Sequence, residues 1–130
     1  MTSLEEAKDT VACANGMAAI VLCMELFESG DHIVCSEDLY GGSVRMFQTT
    51  GEKRGLTFTY VNTADAAATE AAIKSNTKAL YIETPSNPTM QITDLAKMKS
   101  LADKYNLLLI VDNTFCLLYT SPSPRDMRRS

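Results

Sequence analysis

Leu107-Leu108-Leu109-Ile110-Val111-Asp112-Asn113-Thr114-Phe115 is the stretch from which the fold is read. A short, unbroken apolar run that ends in a carboxylate reads as a parallel strand buried on both faces. Asp112 then stands at the strand's carboxyl end, the edge of an open α/β sheet where ligands bind. A carboxylate is costly to bury there unless something cationic meets it. The same residue would also suit capping of the turn that follows. The stretch by itself leaves both readings open.

Moving outward from it, helical and strand patterns alternate. Residues 94–105 carry Leu95, Met98, Leu101, Ala102 and Tyr105 at helical spacing, with Thr93 as the cap and Asn106 as the stop. Residues 78–83 read as a strand, and Thr84-Pro85-Ser86-Asn87-Pro88 as a rigid loop with extended backbone before each proline. An Ala-rich helix is expected at 66–74, a strand at 56–61, and a helix at 43–54 closed by Gly55. A strand over 32–35 and a loop over 36–42 precede it. Gly16 opens an amphipathic helix with Met17, Ile20, Val21, Met24 and Phe27 on its apolar stripe, stopped at residues 29–31. Residues 10–13 form a β-prone link, and residues 3–8 resemble the end of a helix.

This alternation predicts an α/β fold: a partial three-layer sandwich whose mostly parallel sheet has helices on both faces. Its crossovers should be right-handed. Polar loops at 37–40, 83–87 and 112–114 all follow strands, so they are expected to meet at one crevice. Neither G-x-G-x-x-G nor G-K-[ST] occurs, which weakens dinucleotide and P-loop readings.

A chain of 130 residues is long enough for one domain with a real core, and 45% hydrophobic with 22% charged residues suits a soluble globular protein. A net charge of −4 gives no basic footprint for nucleic acid. No apolar run is long enough for a membrane span, and the acidic N-terminus is unlike a signal peptide. Cys13, Cys23, Cys35 and Cys116 are scattered, without C-x-x-C. Buried thiols in a reducing, cytoplasmic setting are therefore expected, with no disulfide frame and no metal site.

The tail departs from the pattern. Residues 116–130 hold Pro122 and Pro124 among serines, then Met127-Arg128-Arg129-Ser130, with no periodicity. The segment resembles a translated sequencing adapter, which would make it non-native and leave residues 1–115 as the natural part. A disordered basic tail is the alternative.

Four motifs carry a family resemblance: Asn15-Gly16-Met17-Ala18-Ala19, Asp38-Leu39-Tyr40-Gly41-Gly42-Ser43, Glu83-Thr84-Pro85-Ser86-Asn87-Pro88-Thr89 and Val111-Asp112-Asn113-Thr114-Phe115. In this order and spacing they are similar to the pyridoxal 5'-phosphate (PLP) enzymes of Cys/Met metabolism. That family includes cystathionine synthases and lyases, methionine γ-lyase and homoserine-ester sulfhydrylases.

The resemblance implies that residues 1–115 are an incomplete large PLP-binding domain of a fold-type I, aspartate-aminotransferase-like enzyme. It implies a trans-sulfuration reaction at the β or γ carbon of a small-molecule amino-acid substrate, and a homotetramer for the full-length form. Gly16 and Met17 would bind phosphate through helix-start amides, although Asn15 stands where the family usually has Ser. Tyr40 would stack on the pyridine ring, and Asn87 would reach its phenolic oxygen. Asp112 would pair with the ring nitrogen, supported by Thr114. Glu83 would line the cofactor or orient its neighbours.

The lysine that forms the family's Schiff base lies in a Ser-x-Thr-Lys segment beyond the Asp112 motif, and none follows it here. No catalytic residue is therefore assigned, and Lys97, Lys99 and Lys104 belong to a helix. An aminotransferase of the same fold and a non-catalytic anion-binding module remain the alternatives. His32, early in a strand, is expected to be structural.

Overall fold

The computed structural model describes residues 2–3 and 6–116. Four strands form one parallel sheet in the order β2-β1-β3-β4, built from β1 (His32–Ser36), β2 (Thr57–Val61), β3 (Thr77–Glu83) and β4 (Leu108–Asp112). Side chains alternate across a strand, and the core divides accordingly. Ile33, Cys35, Ala79 and Tyr81 face one side, where they meet Met24 of α1 (Gly16–Met24) and Met46 of α2 (Gly41–Met46). Val34, Leu80 and Ile82 face the other, against Met98, Leu101 and Ala102 of α4 (Leu95–Lys104), with Ala66 of α3 (Ala66–Ala71) alongside. The expected three layers are present.

Helix starts follow local chemistry. Asn15, Asp65 and Asp94 each turn a side-chain oxygen onto free first-turn amides, those of Ala18, of Ala67 and Ala68, and of Lys97. The cap of α4 is thus Asp94, and Thr93 is instead buried in a hydroxyl chain. In that chain Ser36 Oγ lies 2.9 Å from Thr63 Oγ1, which lies 2.9 Å from Thr93 Oγ1. Gly55 ends the second helical segment with φ 84°, and a Cβ there would meet Ser29 Oγ at 2.1 Å.

Several expectations are corrected. The segment expected as one helix over 43–54 starts at Gly41, widens to a π turn over Phe47–Gly51 and tightens to a 3₁₀ turn over Glu52–Arg54. Phe47 is buried there, stacked at 4.8 Å on Phe58. Helix α1 stops at Met24, and Val21 lies on its exposed side with Leu22, while Cys23 packs inward. Leu95 and Tyr105 are likewise exposed. The described part of 3–8 is turn and bend, with Glu6 at φ 50°. Of the cysteines only Cys35 is fully buried, and Cys13 and Cys116 are exposed.

The largest correction concerns the Asp112 strand. β4 is an edge strand paired only with β3 among the described residues, and Leu108 is 50% exposed. The strands buried on both faces are β1 and β3. The tail beyond Cys116 lies outside the described residues, and so does its expected lack of packing. No helix among the described residues is long and apolar enough to cross a membrane.

Candidate active site

From β1 the chain goes to β2 on one side, then to β3 on the other. Loops leaving β1 and β3 therefore diverge and open a crevice at the strands' carboxyl ends. A cavity of about 350 Å³ lies there, lined by Asn15, Gly16, Met17, Tyr40, Glu83, Asn87, Asp112 and Thr114 together with Ile20 and Phe115. All seven residues singled out from the sequence, Gly16, Met17, Tyr40, Glu83, Asn87, Asp112 and Thr114, share this lining.

Each is placed by its element. Gly16 and Met17 open α1, where amides have no helical acceptor. Asn15 Oδ1 accepts the Ala18 N–H at 2.9 Å, so the oxygen of its side-chain amide is engaged in capping. Tyr40 precedes α2 and is 50% exposed. Its ring lies against Gly42, where a Cβ would sit 2.4 Å from Tyr40 Cε1. That contact gives the second glycine of the Tyr-Gly-Gly motif a steric reason. Arg45 is exposed on α2 and does not line the cavity.

Glu83 and Asp112 are register partners on adjacent strands. Asp112 Oδ1 accepts from Thr114 Oγ1 at 2.6 Å and from the Thr114 N–H at 3.2 Å. Its Oδ2 carries only a long contact, 3.4 Å, from the Tyr81 hydroxyl. The turn-capping reading is therefore met by one oxygen, and the other stays free for a ligand. Glu83 is 4% exposed. Burial pushes its carboxyl above the usual range, and the neighbouring Asp112 charge adds to this. The amides of Tyr40 and Asn87 act in the opposite direction.

Tyr81 is a site neighbour that sequence reasoning missed. It is fully buried, edge-on to Phe47 at 5.2 Å, and burial followed by the Asp112 charge raises its hydroxyl pKa. An available signal was the lone aromatic in an aliphatic strand, two residues before Glu83 and so on the same face.

The letters Ser-x-Thr-Lys do occur, as Ser75-Asn76-Thr77-Lys78, ahead of the Asp112 motif. Thr77 opens β3, so Lys78 stands at the amino end of the strand, away from the cavity. No lysine lines the cavity among the described residues.

The profile of the Cys/Met metabolism PLP-dependent enzyme family matches residues 1–122. The chain belongs to this family. A cystathionine gamma-lyase of Bacillus subtilis (strain 168) is 48% identical over 115 residues, covering 88% of this chain and 30% of that protein. A cystathionine gamma-synthase of Haemophilus influenzae is 47% identical over 116 residues, 88% of this chain and 31% of that protein. The crystal structure of cystathionine gamma-lyase from Lactobacillus plantarum complexed with L-serine matches with a TM-score of 0.87 at 47% identity, covering 88% of this chain and 30% of that one. The chain thus spans about 30% of the length of such relatives. Its parallel sheet is part of the fold-type I architecture of these PLP-dependent enzymes.

Proposed function

We propose that the full-length protein carrying this segment is a PLP-dependent trans-sulfuration enzyme. It would break or form a carbon–sulfur bond at the β or γ carbon of a sulfur amino acid or homoserine ester. The observation that carries the reading is the gathering of unpaired amides, an aromatic face and a carboxylate with a free oxygen around one cavity. Membership of the Cys/Met family supports the same reading.

The donor set fits pyridoxal phosphate. Gly16 and Met17 offer amides and a helix N-terminus to a phosphate dianion. Tyr40 offers an exposed ring face for an aromatic ring. Asn87 offers a side-chain amide for the ring's phenolic oxygen. The bound cofactor supplies a ring that accepts electron density from the substrate carbon under attack. Asp112, whose Oδ2 has only the Tyr81 contact, would favour a protonated ring nitrogen, because an adjacent carboxylate favours the cationic form. Thr114, through its 2.6 Å bond to Oδ1, keeps the Asp112 carboxylate from rotating away.

The same reading extends to a small-molecule amino-acid substrate, a homotetramer and a cytoplasmic location for the full-length form. Residues 1–115 would be the incomplete PLP-binding domain and 116–130 a non-native tail. No lysine lies at the cavity among the described residues, and the 130-residue polypeptide is expected to be inactive.

The test uses the full-length protein purified with and without added PLP. Cofactor absorbance, then turnover of cystathionine and of homoserine esters with a thiol, should both be found. Absence of bound cofactor after reconstitution rejects the reading in favour of a non-catalytic module, and transamination without carbon–sulfur chemistry rejects it in favour of an aminotransferase.

A further inference from the structure

Two loops reach the cavity from neighbouring strands, one after β1 and one after β3. No strand ladder joins them. Glu83 does so instead, from the end of β3. Its Oε2 accepts the Tyr40 N–H at 2.8 Å, and its Oε1 accepts the Asn87 N–H at 3.0 Å. A second tie runs the other way. Asp38, on the first loop, accepts the Ser86 hydroxyl of the second at 2.7 Å, and the Thr89 hydroxyl donates to the same oxygen. Those hydroxyls pull the Asp38 carboxyl below its usual range, so the tie persists as an ion over the neutral range.

We infer that Glu83 is a positioning residue, a carboxylate clamp that holds the Tyr40 ring and the Asn87 side chain as one unit without itself touching the cofactor. Each carboxylate oxygen is already engaged by a backbone amide, and the residue is almost wholly buried. Tyr40 transmits the clamp to its ring because the ring lies close against Gly42, with no room for a methyl group between them. A shift of the Tyr40 amide therefore moves the ring rather than a flexible linker. Asp38 preloads the same pair of loops, so Glu83 acts on segments that are already close.

The inference rests on the reading that this cavity takes pyridoxal phosphate, and two independent measurements separate them. The first is hydrogen exchange of the Tyr40 and Asn87 amides in the cofactor-free, full-length protein. Glu83→Ala should raise both exchange rates about tenfold or more, as expected for losing a charged acceptor. Glu83→Gln keeps the volume and one acceptor oxygen, so only one of the two amides should lose protection. It also carries the test if the alanine variant fails to fold. The second measurement is titration with pyridoxal phosphate, read by affinity and by the visible circular dichroism of the bound ring. Glu83→Gln should weaken affinity about tenfold and reduce the dichroism, with the thermal midpoint nearly unchanged. Unaltered exchange and dichroism in Glu83→Gln overturn the clamp, as does a loss of dichroism that merely follows global melting. A wild-type protein that binds no cofactor rejects the cofactor reading, while amide exchange still decides whether Glu83 couples the loops.

Discussion

At the amino end of the sheet His32 lies between two threonine hydroxyls, with Nδ1 2.7 Å from Thr77 Oγ1 and Nε2 2.8 Å from Thr59 Oγ1. Both ring nitrogens are matched, and the residue is fully buried. At the carboxyl end of the same sheet Asp112 keeps an oxygen with only a 3.4 Å contact, α1 opens with unmatched amides, and the Tyr40 ring is half exposed. One end is closed on itself. The other retains polar capacity that is open to a ligand. The open polar groups at the carboxyl end line one cavity, so that end is the one to associate with a ligand.

The comparison predicts that changes at the carboxyl end act on chemistry and changes at the amino end act on stability. The largest effect is expected for Asp112→Ala in the full-length protein. Removing a preorganised electrostatic partner lowers turnover about a hundred- to a thousandfold, measured at a cofactor occupancy confirmed by absorbance. Near-wild-type turnover would show that Asp112 is not the partner of the ring nitrogen.

Next comes His32→Ala, which leaves Thr59 and Thr77 facing a hole. A loss of about 1–3 kcal/mol in urea unfolding is expected, with cofactor affinity unchanged. The pH dependence follows from the same contacts. Burial, and then the Lys74 charge, lower the His32 pKa from 6.5. The unfolded chain therefore binds a proton that the folded one refuses. The stability contributed by neutral His32 is full above 6.5 and is lost as pH falls from there through the lower folded value. Urea midpoints at about pH 7.5 and about pH 5.5 should differ more for wild type than for His32→Gln.

Tyr40→Phe is milder still. The ring face and its seat on Gly42 survive, so cofactor affinity should fall no more than about threefold by equilibrium titration. A larger fall would assign the hydroxyl a contact of its own. The smallest effects are expected for Lys78→Ala and Lys99→Ala. Lys78 is at the wrong end of the sheet, and Lys99 makes an exposed i, i+4 pair with Asp103. Both should stay within about 0.5 kcal/mol of wild type in stability and keep full turnover.

What was legible in the sequence was periodic or local. Alternating strands and helices, the Gly55 stop and the convergence of three loops could be read from spacing alone. The family motifs named the cavity residues. Contacts between distant residues were not legible. His32 was readable as structural, but its partners lie 27 and 45 residues away. The Glu83 clamp depends on two backbone amides, which no residue type announces. Nor does the sequence show that the Tyr40 ring rests against Gly42. The position of β4 was misread for another reason. Its apolar run reports how much cover the strand is suited to, whereas pairing on one side only is a property of its neighbours.

That open side of β4 bears on how accurately the site can be built. Asp112 is the last residue of the strand, and among the described residues β4 is paired to β3 alone. A strand tethered along one margin can hinge and twist about it, whereas one laced on both sides cannot. Catalytic groups must be held to within about 0.5 Å of their working geometry. Asp112 therefore stands on one of the two edge strands of the sheet, β2 being the other. Any segment that adds to the free margin of β4 sharpens the aim of Asp112 from outside the cavity, without contributing an atom to it.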